Sequence, residues 1–501
     1  MAYDSYAEFL ARLENTGEMR RIPTKVATEL EITEWADREM KSPGGGKALL
    51  FEKPTVNDKP SRFPLAINTM GSHRRMALAL GLESIDELVA QMSLILKAKP
   101  PTTLKAAWDL ARQGMDLLKA KPKHVTSGPC QEVIHRFAES EIRNPKSEIL
   151  PTLLDLPILQ CWPQDGGRFI TFPCVHTRDP DTGERNLGMY RMQIYDERST
   201  GMHWQVHKVG ARHGKRYYER DERMPVAVTI GGDPAYTFAA TAPLPDGLDE
   251  ILFAGFIRKK PVPLVKCQTV DLEVPADADF VLEGYVQPGE LKPEGPFGDH
   301  TGYYTPLDDY PVFHLTAITH RRDAVYPCTI VGIPPMEDFY MGGASVKIFL
   351  PVFRMNFPEI VDIALPAEGV FHNLVFVSIR KQYAWQAYKI MHGLWGMGQM
   401  MFSKYIVVVD DDCDVHNTSE VLFRLCANTD PQRDSTFIKN PTDALDHAQT
   451  IACLGTHMGI DATRKIAGEG YARTWPELLK MDPAVKARVD AMRGAGTIDG
   501  K

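Results

Sequence analysis

Apolar positions near the start of the chain follow a helical period, with Tyr6, Phe9, Leu10 and Leu13 on one side of a helix within residues 3–20. PLAINT followed by MGSHRRMALALG (64–81) predicts a strand, a glycine turn and a helix. Ser84 with Glu87 predicts a capping box opening a helix through about Leu96. KAKPPTT and KAKPKHVTSGP (97–129) bracket another helical stretch and read as connectors. From about residue 130 the pattern changes: LGMYRMQIY, TGMHWQVH, MPVAVTI, KCQTVDLEVP, DFVLEGYV and YPVFHLTAIT are short β-rich runs separated by turns. After residue 330 helical and strand patterns alternate again, and YIVVVDDD reads as a buried strand ending in acids. The order is α/β, then β, then α/β, with domains expected at 1–125, 126–325 and 326–501 and a barrel or sandwich in the middle one. No repeat with a period of about 20–50 residues is present.

Composition narrows the class. The chain has 501 residues, 44% hydrophobic and 24% charged, the profile of a soluble globular protein of several domains. A net charge of −8 gives no bulk attraction for nucleic acid. The start, MAYDSYAEFLARLEN, carries acids where a signal peptide needs a basic end and an apolar run. No apolar stretch approaches the roughly 20 residues that span a bilayer, so at most peripheral membrane contact is expected. Eight cysteines stand scattered without a CxxC pair, which fits a reducing cytoplasm better than a disulfide framework or a structural zinc site.

Two stretches concentrate chemistry. EGPFGDHTGYYTP (294–306) sets the carboxylates Glu294 and Asp299 around a Gly-Pro-Phe-Gly turn and follows them with His300. Pro296 fixes one dihedral and Gly295 and Gly298 permit conformations closed to other residues, so a sharply shaped loop is expected, either a solvated acidic turn or part of a site. RNLGMYRMQIYDERSTGMHWQVHKVGARH (185–213) reads as a β-hairpin that brings Arg191 near residues 204–207. His203 and His207 would lie roughly 13 Å apart on a strand, too far to share one ion. Arg191 is either a rim charge or a fork for a carboxylate or phosphate. Glu250 suits a helix first turn. VVVDDDCDVHN (407–417) is no EF-hand, because Val415 and Leu422 stand where Gly and Glu are required. MHGLWGMGQMMF (391–402) is a pliable Met-rich run, as core or as the wall of an apolar groove. Dinucleotide-binding GxGxxG, the P-loop and the GxSxG elbow are all missing.

NLGMYR, W-x-x-H, DPA…TAPLPDGLDE, LEGY…PEGPFGDHTGYY and VVVDDD occur in this order. Together they resemble the UbiD family of decarboxylases, which use prenylated FMN, and are nearest its 4-hydroxy-3-polyprenylbenzoate decarboxylase branch. The resemblance implies an N-terminal α/β domain, a central flavin-reductase-like split β-barrel that binds the flavin, and a C-terminal α/β domain. It implies Asn186, His207 and Glu250 as ligands of a manganese ion, with potassium as a further candidate. Met189, Tyr190, Arg191, His203, Trp204, Gln205, Lys208 and Val209 fall at cofactor-contacting positions, with Lys465 of DATRK as an added phosphate contact. Glu294, Arg191 and Asp299 match the family's catalytic Glu–Arg–acid network. In that scheme Asp299 protonates carbon after CO₂ leaves, which calls for a raised pKa, supplied by apolar walls such as Phe297. The chain departs from the branch at His203 and Lys208, where arginine is usual.

The activity implied is reversible, non-oxidative decarboxylation of an aromatic acid, either a polyprenylated hydroxybenzoate or a smaller phenolic or heteroaromatic acid. A flavin prenyltransferase would supply the cofactor, and self-assembly from dimer to hexamer through the C-terminal domain is implied. Competing classes are an FMN-dependent oxidoreductase, which leaves Glu294 and Asp299 without a task, and a non-catalytic accessory subunit.

Overall fold

The computed structural model describes residues 2–96, 120–137, 151–205, 208–245 and 247–494. The helix expected between 97 and 129 falls mostly outside these residues. The first helix, Tyr6–Asn15, starts at Ser5, whose hydroxyl accepts from the Glu8 amide, and it buries Tyr6, Phe9, Leu10 and Leu13 as its period requires. Strands Met19–Ala27, Ala48–Val56 and Leu65–Ile67 form a sheet whose next strand, Tyr326–Pro327, arrives from far along the chain and pairs in parallel with Leu65–Ile67. Helix Ile85–Leu96 forms where expected but with half of the capping box: the Glu87 carboxylate accepts from the Ser84 amide at 3.2 Å, while the Ser84 hydroxyl accepts from the Asp86 amide rather than that of Glu87.

The central segment is built on one antiparallel sheet in the order Ser199–Gly201, Asp308–His320, Phe280–Glu294, Met224–Ile230, Cys174–Arg178, Arg185–Met189, with Val133–Arg136 paired to Asp308–His320. This hydrogen-bonded path does not close, so the described residues form no closed barrel. Three helices also lie in the segment, Val209–Glu219, Pro234–Ala239 and Glu250–Arg258, making it mixed rather than all-β. The expected hairpin at 185–213 is only partly formed. Its first run divides into Arg185–Met189, paired with Cys174–Arg178, and Met192–Gln193, paired with Phe169–Ile170. Its second run leaves the sheet after Gly201 and enters helix Val209–Glu219.

The C-terminal segment has a five-stranded sheet in the order Ile360–Ala364, Leu374–Ile379, Tyr405–Asp410, Leu454–Asp461, Ser435–Pro441, parallel in its middle three strands. Tyr405–Asp410 is the buried strand ending in acids, and Asp410 accepts from Arg464. The Met-rich run belongs to the core here: Met391, Leu394 and Trp395 are buried, and a Cβ on Gly459 would lie 2.3 Å from the Met391 sulfur. It walls no groove. Helix Glu337–Asn356 packs back on Ile85–Leu96, with Lys347 bonded to Asp86 at 2.8 Å. Among the described residues no helix is long and apolar enough to cross a membrane.

Candidate active site

The loop 294–306 is the tip of the hairpin formed by the two longest central strands, where Glu294 pairs with Asp308. Its shape is fixed from below. The Gly295 amide donates to Gln193 at 2.7 Å, the Gly298 amide to Asp165 at 2.8 Å, and the Gly166 amide to the Pro296 carbonyl at 2.8 Å. Gly295 has φ 104°, open to glycine alone, and a Cβ on Gly298 would come within 2.2 Å of the Trp162 ring. Two glycines are therefore required by geometry.

This loop meets Arg191, which follows the strand Arg185–Met189. Arg191 Nε donates to Glu294 Oε1 at 2.9 Å, Nη1 to Asp299 Oδ2, and Nη2 to Thr305 Oγ1 at 3.3 Å. The guanidinium carbon lies 4.6 Å from the centre of the Phe297 ring. Side-chain exposures are 10% for Arg191, 0% for Glu294 and 6% for Asp299, so these charges sit where water screens them little. His203 Nδ1 bonds the same Glu294 oxygen at 2.9 Å, and the His203 amide donates to the Arg191 carbonyl at 3.3 Å. Burial pushes Glu294 up, but the His203 hydrogen bond and the Arg191 charge outweigh it and hold the carboxyl below its ordinary range.

Asp299 corrects an expectation. Burial raises it, yet Arg191 and then His300 win, and the carboxyl is held well below the usual range rather than above it. Its Oδ1 accepts from both the amide and Nδ1 of His300, at 2.7 and 2.8 Å. Phe297 stacks on the guanidinium and does not govern the acid.

A second group lies at the start of helix Glu250–Arg258. Glu250 Oε2 accepts from the Leu187 amide at 3.0 Å, and burial, with Asp249 adding to it, pushes its carboxyl up to about 7. It has no ion-pair partner among the described residues. Buried Asn186 stands on the neighbouring strand and donates to Thr177 at 3.2 Å. A half-buried carboxylate without a cation, beside a buried amide, fits a hard divalent ion. His207, the third expected ligand, lies outside the described residues. Between the two groups comes Tyr190, whose hydroxyl accepts from the Gly210 amide at 3.3 Å; a Cβ on Gly188 would lie 2.2 Å from that hydroxyl.

Three buried polar atoms in this region have no partner among the described residues: His203 Nε2, Trp204 Nε1 and Glu294 Oε2. Such atoms cost free energy unless a bound group satisfies them, and their mix of ring nitrogens and carboxylate suits a polar planar cofactor with a substrate. Met189 and Gln205 are half-buried nearby in sequence, and Lys208 with Val209 leads into the helix Val209–Glu219. Burial lowers the Lys208 ammonium, with Asp443 opposing. Lys465 does not join them. Its side chain is fully buried, and its ammonium donates to the carbonyls of Asp461 and Thr463 at 2.5 and 3.0 Å and pairs with Asp434 at 3.5 Å. It is an internal ion pair rather than a phosphate contact. Sequence reasoning gave no task to Thr305, Gln193, Asp165 or His300; the position of His300 directly after Asp299 was the signal available.

Family models cover most of the chain. The 3-octaprenyl-4-hydroxybenzoate carboxy-lyase N-terminal, Rift-related and C-terminal domains match residues 10–93, 123–334 and 339–462. The chain belongs to the UbiD family. It is thus a member of a family of carboxy-lyases. An uncharacterized protein of Archaeoglobus fulgidus is 49% identical over 496 residues, 98% of each chain. Vanillic acid decarboxylase of Sedimentibacter hydroxybenzoicus in its closed form is 25% identical with TM-score 0.83 over 99% of both chains, and its open form gives 0.76. An evolved dimeric form of the UbiD-class enzyme HmfF from Pelotomaculum thermopropionicum, in complex with prFMN, is 26% identical with TM-score 0.75 over 97% of this chain and 98% of that one. The UbiD chain described here thus shares its whole-length fold with decarboxylases and with a prFMN-binding enzyme.

Proposed function

We propose that this protein is a non-oxidative, reversible decarboxylase of an aromatic, phenolic carboxylic acid that works with prenylated FMN and a manganese ion. The observation that carries this reading is the buried Glu294–Arg191–Asp299 arrangement bordered by unpartnered atoms of His203, Trp204 and Glu294. Asn186 and Glu250, with His207, would hold the ion, and His203, Trp204 and Tyr190 the flavin. Losing CO₂ from an aromatic ring leaves electrons that no side chain can delocalise, and the prenylated flavin when bound supplies that sink. The flavin-reductase-like description of the central segment and assembly through the C-terminal sheet belong to the same proposal.

The chain's own residues handle charge and protons. Arg191 is shared between Glu294 and Asp299, so a substrate carboxylate competes for its donors. As Arg191 turns to the substrate, the largest of the charges that offset burial at Asp299 weakens, with His300 alone still opposing, and Asp299 shifts toward the form that carries the proton replacing CO₂. Glu294 keeps its second hydrogen bond, to His203, throughout. The substrate is either a polyprenylated hydroxybenzoate or a smaller phenolic or heteroaromatic acid, and the buried part of the Met-rich run adds no support for a polyprenyl tail.

The test is co-expression with a flavin prenyltransferase, mass measurement of the cofactor released on denaturation, and a screen of aromatic acids for CO₂ release. Prenylated FMN and turnover are expected. Ordinary FMN from a competent co-expression, with NAD(P)H oxidation, would favour an oxidoreductase instead.

A further inference from the structure

On the far side of Asp299 a second cluster spans the central and C-terminal segments. His300 comes from the loop 294–306, His372 from the turn before strand Leu374–Ile379, and Asp443 from the stretch after strand Ser435–Pro441. One ligand atom from each of the three lies within 4.8 Å of the other two. The two imidazoles face each other, Nε2 to Nε2, at 2.8 Å.

From this geometry we infer that His300, His372 and Asp443 form a divalent-cation site of the zinc type, separate from the Asn186–Glu250 group. The donor set is two neutral imidazoles and a carboxylate without a thiolate, the three-ligand composition that leaves a fourth position open on zinc. Asp299 supplies the outer partner: its Oδ1 takes the proton of His300 Nδ1 at 2.8 Å, which leaves the His300 Nε2 lone pair directed at His372. Two nitrogens this close share a single proton, and a cation can take its place. Zinc–nitrogen bonds of about 2.0–2.1 Å in a tetrahedral arrangement ask the two nitrogens to part by about half an ångström, with the rings turned so that both lone pairs meet the ion. Asp443 has one oxygen on the Leu445 amide at 2.7 Å, which orients the carboxylate and leaves the other oxygen for a ligand.

A second observation concerns the backbone. Val370 and Phe371, immediately before His372, both have left-handed φ, 45° and 54°. The β-branched Val370 is strained there, and two successive left-handed residues other than glycine are held only where the surroundings demand it. All three ligand residues are half-buried, so an ion can enter. An ion bound here would join the hairpin tip to the C-terminal segment.

The test uses the full chain and zinc alone. Protein is mixed with zinc and desalted, and retained zinc is measured by elemental analysis; cobalt in its place reports geometry through its visible bands. Wild type is expected to hold one zinc more than His372→Ala, and loss of a ligand should weaken zinc at least about 10–100-fold, the range known for loss of an outer partner. His372→Gln and Asp443→Asn should show the same deficit with unchanged circular dichroism, which separates a lost ligand from a lost fold. Glu250→Gln should keep this zinc. Equal retention in wild type and all three variants, or loss confined to Glu250→Gln, would overturn the assignment.

Discussion

Two buried charge clusters invite comparison. In the C-terminal segment Lys381 donates to Thr463 Oγ1, the Arg464 carbonyl and Glu469 at 2.8, 3.0 and 2.5 Å, while Lys465 is held by Asp461, Thr463 and Asp434. Glu469 also takes the amides of Trp385 and Ile466, and none of the buried side-chain atoms of this group lacks a partner. The Arg191 cluster is as deeply placed, yet His203, Trp204 and Glu294 each keep one buried atom unpartnered. Both clusters place charge out of water. Only one leaves capacity for a visitor, and that surplus separates a site from a strut.

The sharpest way to break this comparison is to remove the arginine from one cluster and a lysine from the other. Arg191→Ala should abolish decarboxylation while the folded protein persists, seen as unchanged circular dichroism beside absent CO₂ release; retained turnover would end the reading of that cluster as a site. Asp299→Asn keeps the shape but not the proton, and a loss of about 10²–10⁴-fold in turnover is expected in a steady-state assay. Lys465→Ala should act on the other axis. Asp434 and Asp461 keep Arg433 and Lys381 but lose the fully buried cation they share, which should cost up to about 3 kcal/mol in denaturant unfolding, with activity per folded molecule little changed. Glu250→Gln should lower retained manganese, read by elemental analysis after desalting, and leave unfolding midpoints nearly alone.

The smallest effect is with pH. Glu294, Asp434 and Glu469 are each raised by burial but lowered more by partners: chiefly His203 and Arg191 for Glu294, Arg433 for Asp434 and Lys381 for Glu469. A depressed carboxyl contributes stability above its unfolded pKa, near 4, and loses it as pH falls through the folded value. The Tm gap between wild type and Lys465→Ala should therefore hold steady from pH 7 to pH 5 and shrink below about pH 4. A gap that closes already near pH 6 would contradict the depressed values.

Sequence pattern carried the regular elements and little of the site's geometry. The side of the first helix was legible because Tyr6, Phe9, Leu10 and Leu13 are apolar on a 3.6 period. Helix Val209–Glu219 was not, because its buried stripe is Gly210, His213, Gly214 and Tyr217, with glycines packed on Trp204 where a hydrophobic period would need leucines. Glu294 and Arg191 are 103 positions apart, and no local period links them; family resemblance alone put them together. The state of Asp299 was misjudged because composition near it named an apolar Phe297, whereas a buried acid answers first to the charges it touches. DATRK advertised a lysine but not its burial, which depends on acids 4 and 31 residues away.

The strand Tyr326–Pro327 has a consequence for anyone recombining these parts. Cutting at residue 325, between the pattern-defined domains, would hand the C-terminal piece a strand that completes the N-terminal sheet beside Leu65–Ile67. A chimera joined there would swap an internal edge along with the intended module. A junction placed after Pro335 and before helix Glu337–Asn356 keeps that edge with its own sheet, so the chain is modular at a seam ten residues later than its composition suggests.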